Sequence, residues 1–449
     1  MAQLSEAIAR YHELLQSGYR DLDWAEGLQE QMRRRNLTDS GRPVSPVLRP
    51  HFITRRQLEN LTRVAERLTA ILDRVGLFCI ESPSLLQRLR MLPAERMLAT
   101  LPSGYSRLAV AARLEAHLHN GSLTLHGFDG CRSAGLAHAD LLADLFLNLP
   151  IVKQFKRGNY KLSKLGGIRH LHAAILHAWK EFGGSHAPNI AIIEAGQQSL
   201  SANGEAAILA ELFSRLGSPA RPISLEELEY RGGHLSTRGF RIDIAFRRVL
   251  TRELLLRSDF SQPLLEAYQN HAVCLVNSFR SEVALRRGLF DPLTDETVIE
   301  RFPAADRKLI RSFVPWTRIV SARKTNYRDE PINLLEFILR ERERLILLPG
   351  DEGSEQRVFA GSDMSEQAWE RALHHALNVP YVVQERDTAV CELFPVFAYG
   401  ELCMRTLEVT VHPHVLNGEV QGAVAALKPG NGAGVAQLGI APVLVLEQH

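Results

Sequence analysis

Residues Arg344–Glu352 read Arg-Leu-Ile-Leu-Leu-Pro-Gly-Asp-Glu, and they are followed by Gly361 and by the run Tyr381–Glu385, which reads Tyr-Val-Val-Gln-Glu. This order predicts a strand, a loop, a helix and a second strand, the layout of a clamp around a nucleotide. A phosphate-binding loop needs a cation and several glycines. Here Leu348 stands before the proline, and Ser354–Arg357 read Ser-Glu-Gln-Arg. The stretch therefore predicts the frame of a nucleotide site that lacks its main charges.

Composition predicts a soluble globular protein of two to four compact units. The chain has 449 residues, 45% of them apolar, and one core holds roughly 100 to 200 residues. No run approaches about 18 uncharged apolar residues, and Met1–Glu6 do not have the order of a secretory signal. The 53 basic and 51 acidic residues give a net charge of +2, which creates no field for a polyanion. We expect a cytoplasmic protein that binds neither nucleic acid nor membrane.

The cysteines and histidines do not predict a metal site. The five cysteines have no C-x-x-C spacing, so we expect reduced and mostly buried thiols. In none of the histidine groups are two histidines four residues apart with a glutamate between them, which is the pattern of a zinc-binding helix. The residues considered are Cys79, Cys131, Cys274, Cys391, Cys403, His170, His172, His177, His374, His375, His412 and His414.

Periodicity divides the chain into three predicted regions. Residues 1–187 are mostly helical; Thr54–Gln57 has the form of a capping box, and apolar residues then recur at helical spacing from Leu58 to Val75. Within this region Ser122–Leu125 alternates like a strand and leads into the small-residue loop Gly127–Gly135. Residues 188–290 predict a Rossmann-like α/β unit, and residues 291–449 predict an α+β unit of strands and helices.

Three buried strands define the middle region: Asn189–Glu194, Ile242–Phe246 and Ala272–Val276. A second capping box is expected at Ser224–Glu227. In the last region we predict strands at Leu345–Leu348, Tyr381–Gln384 and Val443–Leu446, and a helix at Glu366–Leu377. The glycine-rich segment Gly430–Gly434 does not complete a dinucleotide-binding motif.

In this order the pieces resemble the circularly permuted ATP-grasp proteins, relatives of glutathionylspermidine synthase that join a carboxylate to an amine. The likeness spans nearly the whole chain, through weak motifs in a moderately specific order. The residues that carry it are Val47–Pro50, Ser106–Leu108, Ser133–Gly135, Pro188–Ile192, Asp243, Arg247, Arg248, Val276–Phe279, Val314–Thr317, Leu347–Pro349, Trp369, Val383–Glu385 and Pro442–Leu446.

The resemblance implies a helical N-terminal region, a Rossmann-like sheet and a clamp of two α+β subdomains that holds ATP and Mg²⁺. It also implies phosphoryl transfer to a small-molecule or peptide carboxylate and attack by an amine. Asp129 would be a metal ligand, and Gln384 and Glu385 would contact adenine and ribose. Leu348 and Arg357 fall on the phosphate-binding positions. The remaining candidates, in catalytic roles, are Arg247, Arg248 and Arg287.

The chain departs from the family at its charged positions. The lysine before proline falls on Leu348, the glycine loop falls on Ser354–Arg357, and the Glu-x-Asn metal pair falls on Gly127 and Asp129. Arg287 replaces another lysine. The family's acidic residue before Pro-Tyr is missing at Val411–His414, its arginine is replaced around Ala425 and Ala426, and its triple glycine is reduced at Leu438–Ile440. Lys428-Pro429 reproduces the lysine motif, but at a different place in the family order.

Each candidate also has a structural interpretation. Asp129 could cap the following helix, Arg247 and Arg248 could pair with Asp243, and Gln384 and Glu385 could be an ordinary strand end. Arg357 could be a solvated surface residue.

Three hypotheses follow. In the first, the protein is a catalytically impaired binding or scaffold subunit that acts beside an active paralogue. In the second, it is an active ligase in which Arg287, Arg357, Arg247 and Asp129 form a rearranged phosphate and metal site. In the third, only the α/β part shares the fold and the protein binds some other small molecule. Basic side chains that converge on the cleft between residues 345–385 and 127–135 would favour the second.

Overall fold

The computed structural model describes residues 2–18, 22–119, 122–131, 135–197, 204–351, 356–430 and 437–448. Several positions singled out by the sequence lie outside these ranges, namely Ser133, Ala134, Glu352, Ser354, Glu355 and Asn431–Gly434. Within the described residues no helix is both long and apolar enough to cross a membrane.

The largest element is an eight-stranded sheet, here called the large sheet. Its main path runs β3 (His51–Thr54), β23 (Gly439–Gln448), β22 (Glu419–Pro429), β21 (Glu401–Leu416), β4 (Ala111–Leu118) and β5 (Leu123–Asp129). Two further strands pair beside this path, β20 (Cys391–Ala398) with β21 and β6 (Tyr160–Lys164) with β23. The long antiparallel strands β20, β21 and β22 are not predicted by the sequence analysis.

Two four-stranded sheets flank it. The parallel sheet has the order β13 (Cys274–Val276), β12 (Ile244–Arg247), β7 (Ile190–Glu194), β8 (Ala220–Ser224). The small sheet is antiparallel, in the order β14 (Thr317–Ile319), β19 (Tyr381–Glu385), β17 (Leu345–Pro349), β18 (Phe359–Ala360). These sheets confirm the three strands predicted in the middle region and two of those predicted in the last region; the third, Val443–Leu446, lies in β23 of the large sheet.

Short hairpins complete the strands: β1 (Thr38–Asp39) with β2 (Arg42–Pro43), the three-stranded β9 (Glu229–Arg231), β10 (His234–Thr237) and β11 (Phe240–Arg241), and β15 (Lys324–Tyr327) with β16 (Glu330–Asn333).

The described helices lie on both sides of these sheets. Their bounds are Ala2–Gly18, Asp23–Arg34, Arg55–Glu81, Pro83–Arg88, Pro93–Thr100, Leu136–Asn148, Pro150–Lys156, Ile168–Glu181, Glu205–Arg215, Thr251–Leu256, Ser258–Gln269, Glu282–Leu285, Phe290–Leu293, Glu296–Ile299, Ala304–Phe313, Leu334–Arg340 and Glu366–Asn378. Short 3₁₀ turns occupy Leu225–Glu227, Phe279–Ser281, Arg287–Leu289, Arg342–Arg344 and Gly361–Asp363.

The long helix Arg55–Glu81 shows how the sequence fixes one face of the large sheet. Both predicted capping-box bonds are present: Thr54 Oγ1 accepts from the Gln57 amide at 3.2 Å, and Gln57 Oε1 accepts from the Thr54 amide at 2.9 Å. The apolar stripe of the helix packs on alternate residues of β4, β21 and β22. Because strand side chains alternate between faces, the intervening residues of these strands point to the opposite side.

Candidate functional site

A cleft of about 630 Å³ lies between the large sheet and the small sheet. The described residues that line it are Arg113, Glu115, His117, His126, Asp129, Arg287, Ile346, Leu348, Val358, Gln384, Glu385, Arg386, Asp387, Ala389, Cys391, Glu408, Thr410, His412, Ala426, Lys428, Gly430 and Gln437. Five of the sequence-predicted residues meet here: Asp129, Arg287, Leu348, Gln384 and Glu385.

The floor of the cleft is the polar face of the large sheet. On β4 the residues Arg113, Glu115 and His117 face the cleft, and on β21 Thr410 and His412 do. The residues between them, such as Leu114 and Val411, are buried against the long helix. An antiparallel sheet with one packed face can carry charge on the other, so this alternation concentrates ionisable groups in one place.

A change of register in the β4–β5 pair brings a histidine into this floor. Glu115 pairs with Gly127 while the next residue, Ala116, pairs with Leu125, so His126 is an extra residue on β5. Such a bulge redirects a side chain. His126 consequently lines the cleft beside His117, with 4.3 Å between the two ring centroids.

Gly127 is the position at which the family's glutamate was expected, and a different carboxylate covers it. A Cβ at residue 127 would lie 2.5 Å from Oε2 of Glu115, the cross-strand neighbour. Because that distance is far below van der Waals contact, Glu115 in its present place requires glycine at 127. The chain thus holds a carboxylate at this part of the floor, supplied by β4 rather than β5.

Asp129 is buried at the end of β5, 2% exposed. Its Oδ1 accepts from the Cys131 amide at 2.9 Å, and its Oδ2 lies 3.6 Å from a guanidinium nitrogen of Arg113. The suggestion that Asp129 caps the next helix does not hold. That helix begins at Leu136, and Glu205 accepts from the amides of Gly135 and Ala137 instead.

The small sheet forms an apolar wall opposite the floor. On β17 Leu345 and Leu347 are buried in the core, whereas Ile346 and Leu348 alternate toward the cleft. Gln384 is buried, and its Nε2 donates to Thr317 Oγ1 at 3.0 Å. Glu385 accepts from the Tyr327 hydroxyl and, at 3.1 Å, from Arg328. Both side chains are therefore held where β19 leaves the small sheet; the connection from there to β20, residues 385–390, is called the hinge below.

Cationic side chains reach the cleft from separate elements. Arg113 comes from β4, Arg287 from the turn after the parallel sheet, Arg386 from the hinge and Lys428 from β22. Arg287 also contacts the loop after β17, since its backbone amide donates to the Gly350 carbonyl at 2.9 Å. Lys428, which the family order did not place in a nucleotide site, lies in the same cleft as Leu348.

Arg247 and Arg248 lie outside the cleft lining, in buried ion pairs. Arg247 Nη1 donates to Glu282 at 2.8 Å, and Arg248 Nε donates to Glu194 at 2.7 Å. Their expected partner, Asp243, instead accepts from the Asn189 amide at 2.9 Å. These arginines join the parallel sheet to the elements around it.

Arg357 is exposed and also lies outside the described lining. Its carbonyl accepts from the Tyr381 hydroxyl at 2.7 Å. The structure thus does not bring Arg357 together with the other predicted residues.

Burial keeps two histidines of the floor, His126 and His412, neutral. It lowers the pKa of His126 to about 3, and it holds the pKa of His412 well below its ordinary value. Burial would raise the pKa of Glu115, but nearby His412, His126, Arg287 and Arg113 outweigh it and hold that pKa below the usual range. At neutral pH the uncharged imidazoles of His126 and His412 therefore lie beside the ionised carboxylate of Glu115.

The sequence analysis missed Arg113, Glu115, His117 and His126. The signal was a strand-type alternation, Arg-x-Glu-x-His over Arg113–His117 and Glu-x-Thr-x-His-x-His over Glu408–His414. Only helical histidine spacing was tested, although two residues apart is the spacing that places side chains on one face of a strand.

No protein-family profile matches the chain, and no curated protein matches it in sequence. Among solved structures, the apo form of a glutathione synthetase-like effector from Globodera pallida matches with a TM-score of 0.61 and 11% identity, over 95% of this chain and 96% of that one. A putative gamma-glutamylcysteine synthetase from Methylobacillus flagellatus gives a TM-score of 0.43 and 12% identity, over 87% of this chain and 89% of that one.

The effector comparison shows the fold. The chain has a mixed α+β fold similar to that of the glutathione synthetase-like effector. The likeness covers nearly all of both chains. The likeness is thus not confined to the α/β part, as the third hypothesis had assumed.

Proposed function

We propose that the cleft binds a magnesium nucleoside triphosphate, and that the protein is an ATP-dependent carboxylate-amine ligase with a rearranged set of charges. The observation that carries the proposal is the convergence of Arg113, Arg287 and Lys428 on one cleft with the carboxylates of Glu115 and Asp129. We also propose the circularly permuted order of the family.

Arg287 and Lys428 are assigned to the phosphates. A triphosphate needs fixed positive charge, and the family position for it holds Leu348. Lys428 reaches the same cleft from β22, and Arg287 is positioned by its bond to the loop after β17. The positive charge would thus come from a turn and from β22, and not from the position of Leu348 on β17.

Glu115 and Asp129 are assigned to Mg²⁺. This ion prefers carboxylate oxygens and keeps several waters. Asp129 is fixed by its bond to Cys131, and Glu115 covers the position that glycine leaves open. These two side chains supply the kind of oxygen ligand that the ion would need.

The nucleobase is assigned to the apolar wall of Ile346, Leu348 and Val358 next to the hinge. Aliphatic side chains favour the flat face of a base, and hinge polar groups can read its edge. When bound, the nucleotide would supply a γ-phosphoryl group that activates a substrate carboxylate for attack by an amine. The substrate class remains a small-molecule or peptide carboxylate with an amine.

A second candidate function is a catalytically impaired binding subunit that acts beside an active paralogue. It is favoured by the cleft-facing Leu348 and by the 3.6 Å approach of Arg113 to Asp129, which partly neutralises both groups. Losing one preorganised donor commonly costs about 10² to 10³ in rate. Release of ADP in the presence of amine and carboxylate substrates separates the two candidates.

Calorimetric titration with ATP, with and without Mg²⁺, tests the proposal. We expect Mg²⁺-dependent binding that weakens at least about 10-fold in Arg287→Ala and in Lys428→Ala, since a charge-assisted contact contributes about 1.5 to 3 kcal/mol. Arg56→Ala and Lys308→Ala are matched controls, because both residues are exposed and lie outside the cleft. Absence of heat at millimolar ATP would remove the proposal.

A further inference from the structure

Two histidines and an aspartate meet at one end of the cleft floor. His117 Nδ1 lies 3.0 Å from Asp387 Oδ2, and His119 Nε2 lies 3.2 Å from the same oxygen. Each of the three residues offers one ligand atom, and these three atoms all lie within 4.8 Å of one another. His117 lies in β4, His119 is the residue directly after that strand, and Asp387 belongs to the hinge after β19.

These separations suit a metal ion. Zn²⁺ bonds to imidazole nitrogen and carboxylate oxygen at about 2.0 to 2.2 Å, so neighbouring ligands of a tetrahedral site lie roughly 3.3 to 3.6 Å apart. The distances from His117 and His119 to Asp387, 3.0 Å and 3.2 Å, are slightly shorter than this range. A small outward shift of Asp387 would seat an ion among the three atoms.

The groups behind the ligands hold them in the orientation that a metal needs. Thr410 Oγ1 lies 3.4 Å from His117 Nε2, so the hydroxyl can accept that N–H and leave Nδ1 free to coordinate. The second oxygen of Asp387 accepts from the Thr388 amide at 2.8 Å. Hydrogen bonds of this kind fix the tautomer of a ligating histidine and the direction of a ligating carboxylate.

The site is open to solvent on one side. The side chain of His119 is 24% exposed and that of Asp387 is 19% exposed. An ion can therefore enter, and three protein ligands leave at least one coordination position for water or a ligand in the cleft.

We propose that His117, His119 and Asp387 bind a divalent first-row transition metal of the Zn²⁺ class. The site differs from the proposed magnesium site, because Mg²⁺ favours oxygen ligands whereas imidazole suits Zn²⁺, Co²⁺ or Ni²⁺. The ion would link β4 of the large sheet to the hinge that leads from the small sheet. It would thus limit how far the cleft opens.

The competing explanation is a hydrogen-bonded network in which both imidazoles simply donate to Asp387. Burial would raise the pKa of Asp387, but the hydrogen bonds from His117 and His119 hold it below its ordinary value. The carboxylate is thus ionised in either case, and only metal titration separates the explanations.

Co²⁺ titration of the purified, chelator-treated full chain without nucleotide provides the test. We expect one Co²⁺ per chain, with the visible absorption of nitrogen and oxygen coordination, and displacement by Zn²⁺. His119→Ala and Asp387→Asn should each weaken binding by at least about 10-fold, and Thr410→Val by about 10- to 100-fold. His374→Ala, at an exposed histidine of the helix Glu366–Asn378, is the matched control and should bind as the wild type does.

Melting curves of every variant, recorded without metal, identify those that fail to fold. Asp387→Asn is chosen because asparagine has the same shape as aspartate and so disturbs the fold least. The proposal is overturned if the wild type binds no Co²⁺ or Zn²⁺. It is equally overturned if folded His119→Ala and Asp387→Asn bind as tightly as the wild type. Because nucleotide is absent, these outcomes do not depend on whether the cleft binds ATP.

Discussion

The carboxylate of Glu115 lies over Gly127, its partner on the neighbouring strand, so closely that a Cβ at residue 127 would sit 2.5 Å from Oε2. The glycine that looked like the loss of a metal ligand is the condition for another carboxylate to occupy the floor. The floor of the cleft therefore carries a carboxylate from β4 opposite the glycine of β5.

Gly127→Ala should displace Glu115 and weaken Mg²⁺-dependent nucleotide binding. The new methyl group meets Cδ of Glu115 at 2.8 Å as well as its oxygen, so overpacking should lower the free energy of unfolding by about 1 to 3 kcal/mol. In the Glu115→Ala background the same substitution should cost much less. Urea unfolding of the four proteins measures this coupling, and equal costs in both backgrounds would contradict the contact.

Leu348→Lys should strengthen ATP binding. Leu348 faces the cleft from the strand position where the resemblance expects a lysine, and a lysine stem can follow the apolar wall while its ammonium reaches the phosphates. We expect about 10-fold tighter binding, from about 1.5 kcal/mol for a charge-assisted contact.

Calorimetry with Mg²⁺ and ATP measures this gain. Leu339→Lys, at a residue 41% exposed outside the cleft, is the control for added charge. A gain of equal size in both variants would attribute the effect to net charge and not to the cleft.

Glu282→Ala should destabilise the fold strongly. Glu282 Oε1 accepts from Arg247 at 2.8 Å and from the Thr251 amide at 3.2 Å, and its side chain and that of Arg247 are 1% and 0% exposed. Removing one partner of a buried pair commonly costs about 3 to 5 kcal/mol, because the other charge stays buried.

The double variant Arg247→Met/Glu282→Leu should be more stable than Glu282→Ala, since it leaves no unpaired charge. Urea denaturation of both proteins makes the comparison. A double variant that folds and still binds ATP would assign Arg247 a structural role, whereas loss of ATP binding in a stable double variant would assign it to the ligand.

Stability should fall as the pH drops below about 6.5, with His414 as one cause. Burial lowers the pKa of His414 to about 3. Its ring nitrogens have no hydrogen-bond partner among the described residues. The unfolded state takes up a proton near pH 6.5, whereas the folded state resists it until about pH 3.

The stabilisation by neutral His414 is thus complete above pH 6.5 and declines toward pH 3. Urea denaturation between pH 7.5 and pH 5 should show a steeper decline for the wild type than for His414→Leu, by at most about 1.4 kcal/mol per pH unit. Parallel curves for the two proteins would show that His414 does not titrate in this way.

The sequence predicts the scaffold well where local signals are strong. The capping box at Thr54, the apolar stripe of the helix behind it and the buried run Ile190–Glu194 are set by neighbouring residues, and the structure confirms all three. The sequence analysis does not predict the long antiparallel strands β21 and β22. The alternation of Glu408–His414 in β21 is a local signal that histidine spacing on helices does not capture, and Ala423–Leu427 in β22 is a run of apolar residues without alternation.

The candidate site is predictable only in part, since it depends on pairings across strands. Leu348, Gln384 and Asp129 lie near motifs and meet in the cleft, as the resemblance suggested. His126 gains its place through the bulge in β5, and Lys428 gains its place through the register of β22. Neither relationship is visible in a linear motif.

A crystal structure with Mg²⁺ and a non-hydrolysable ATP analogue tests the central claim most directly. The account predicts phosphates in contact with Arg287 and Lys428, a magnesium ion held by Glu115 and Asp129, and the base against Ile346 and Leu348. An analogue bound elsewhere on the chain, or a cleft that stays empty at saturating analogue, would contradict it.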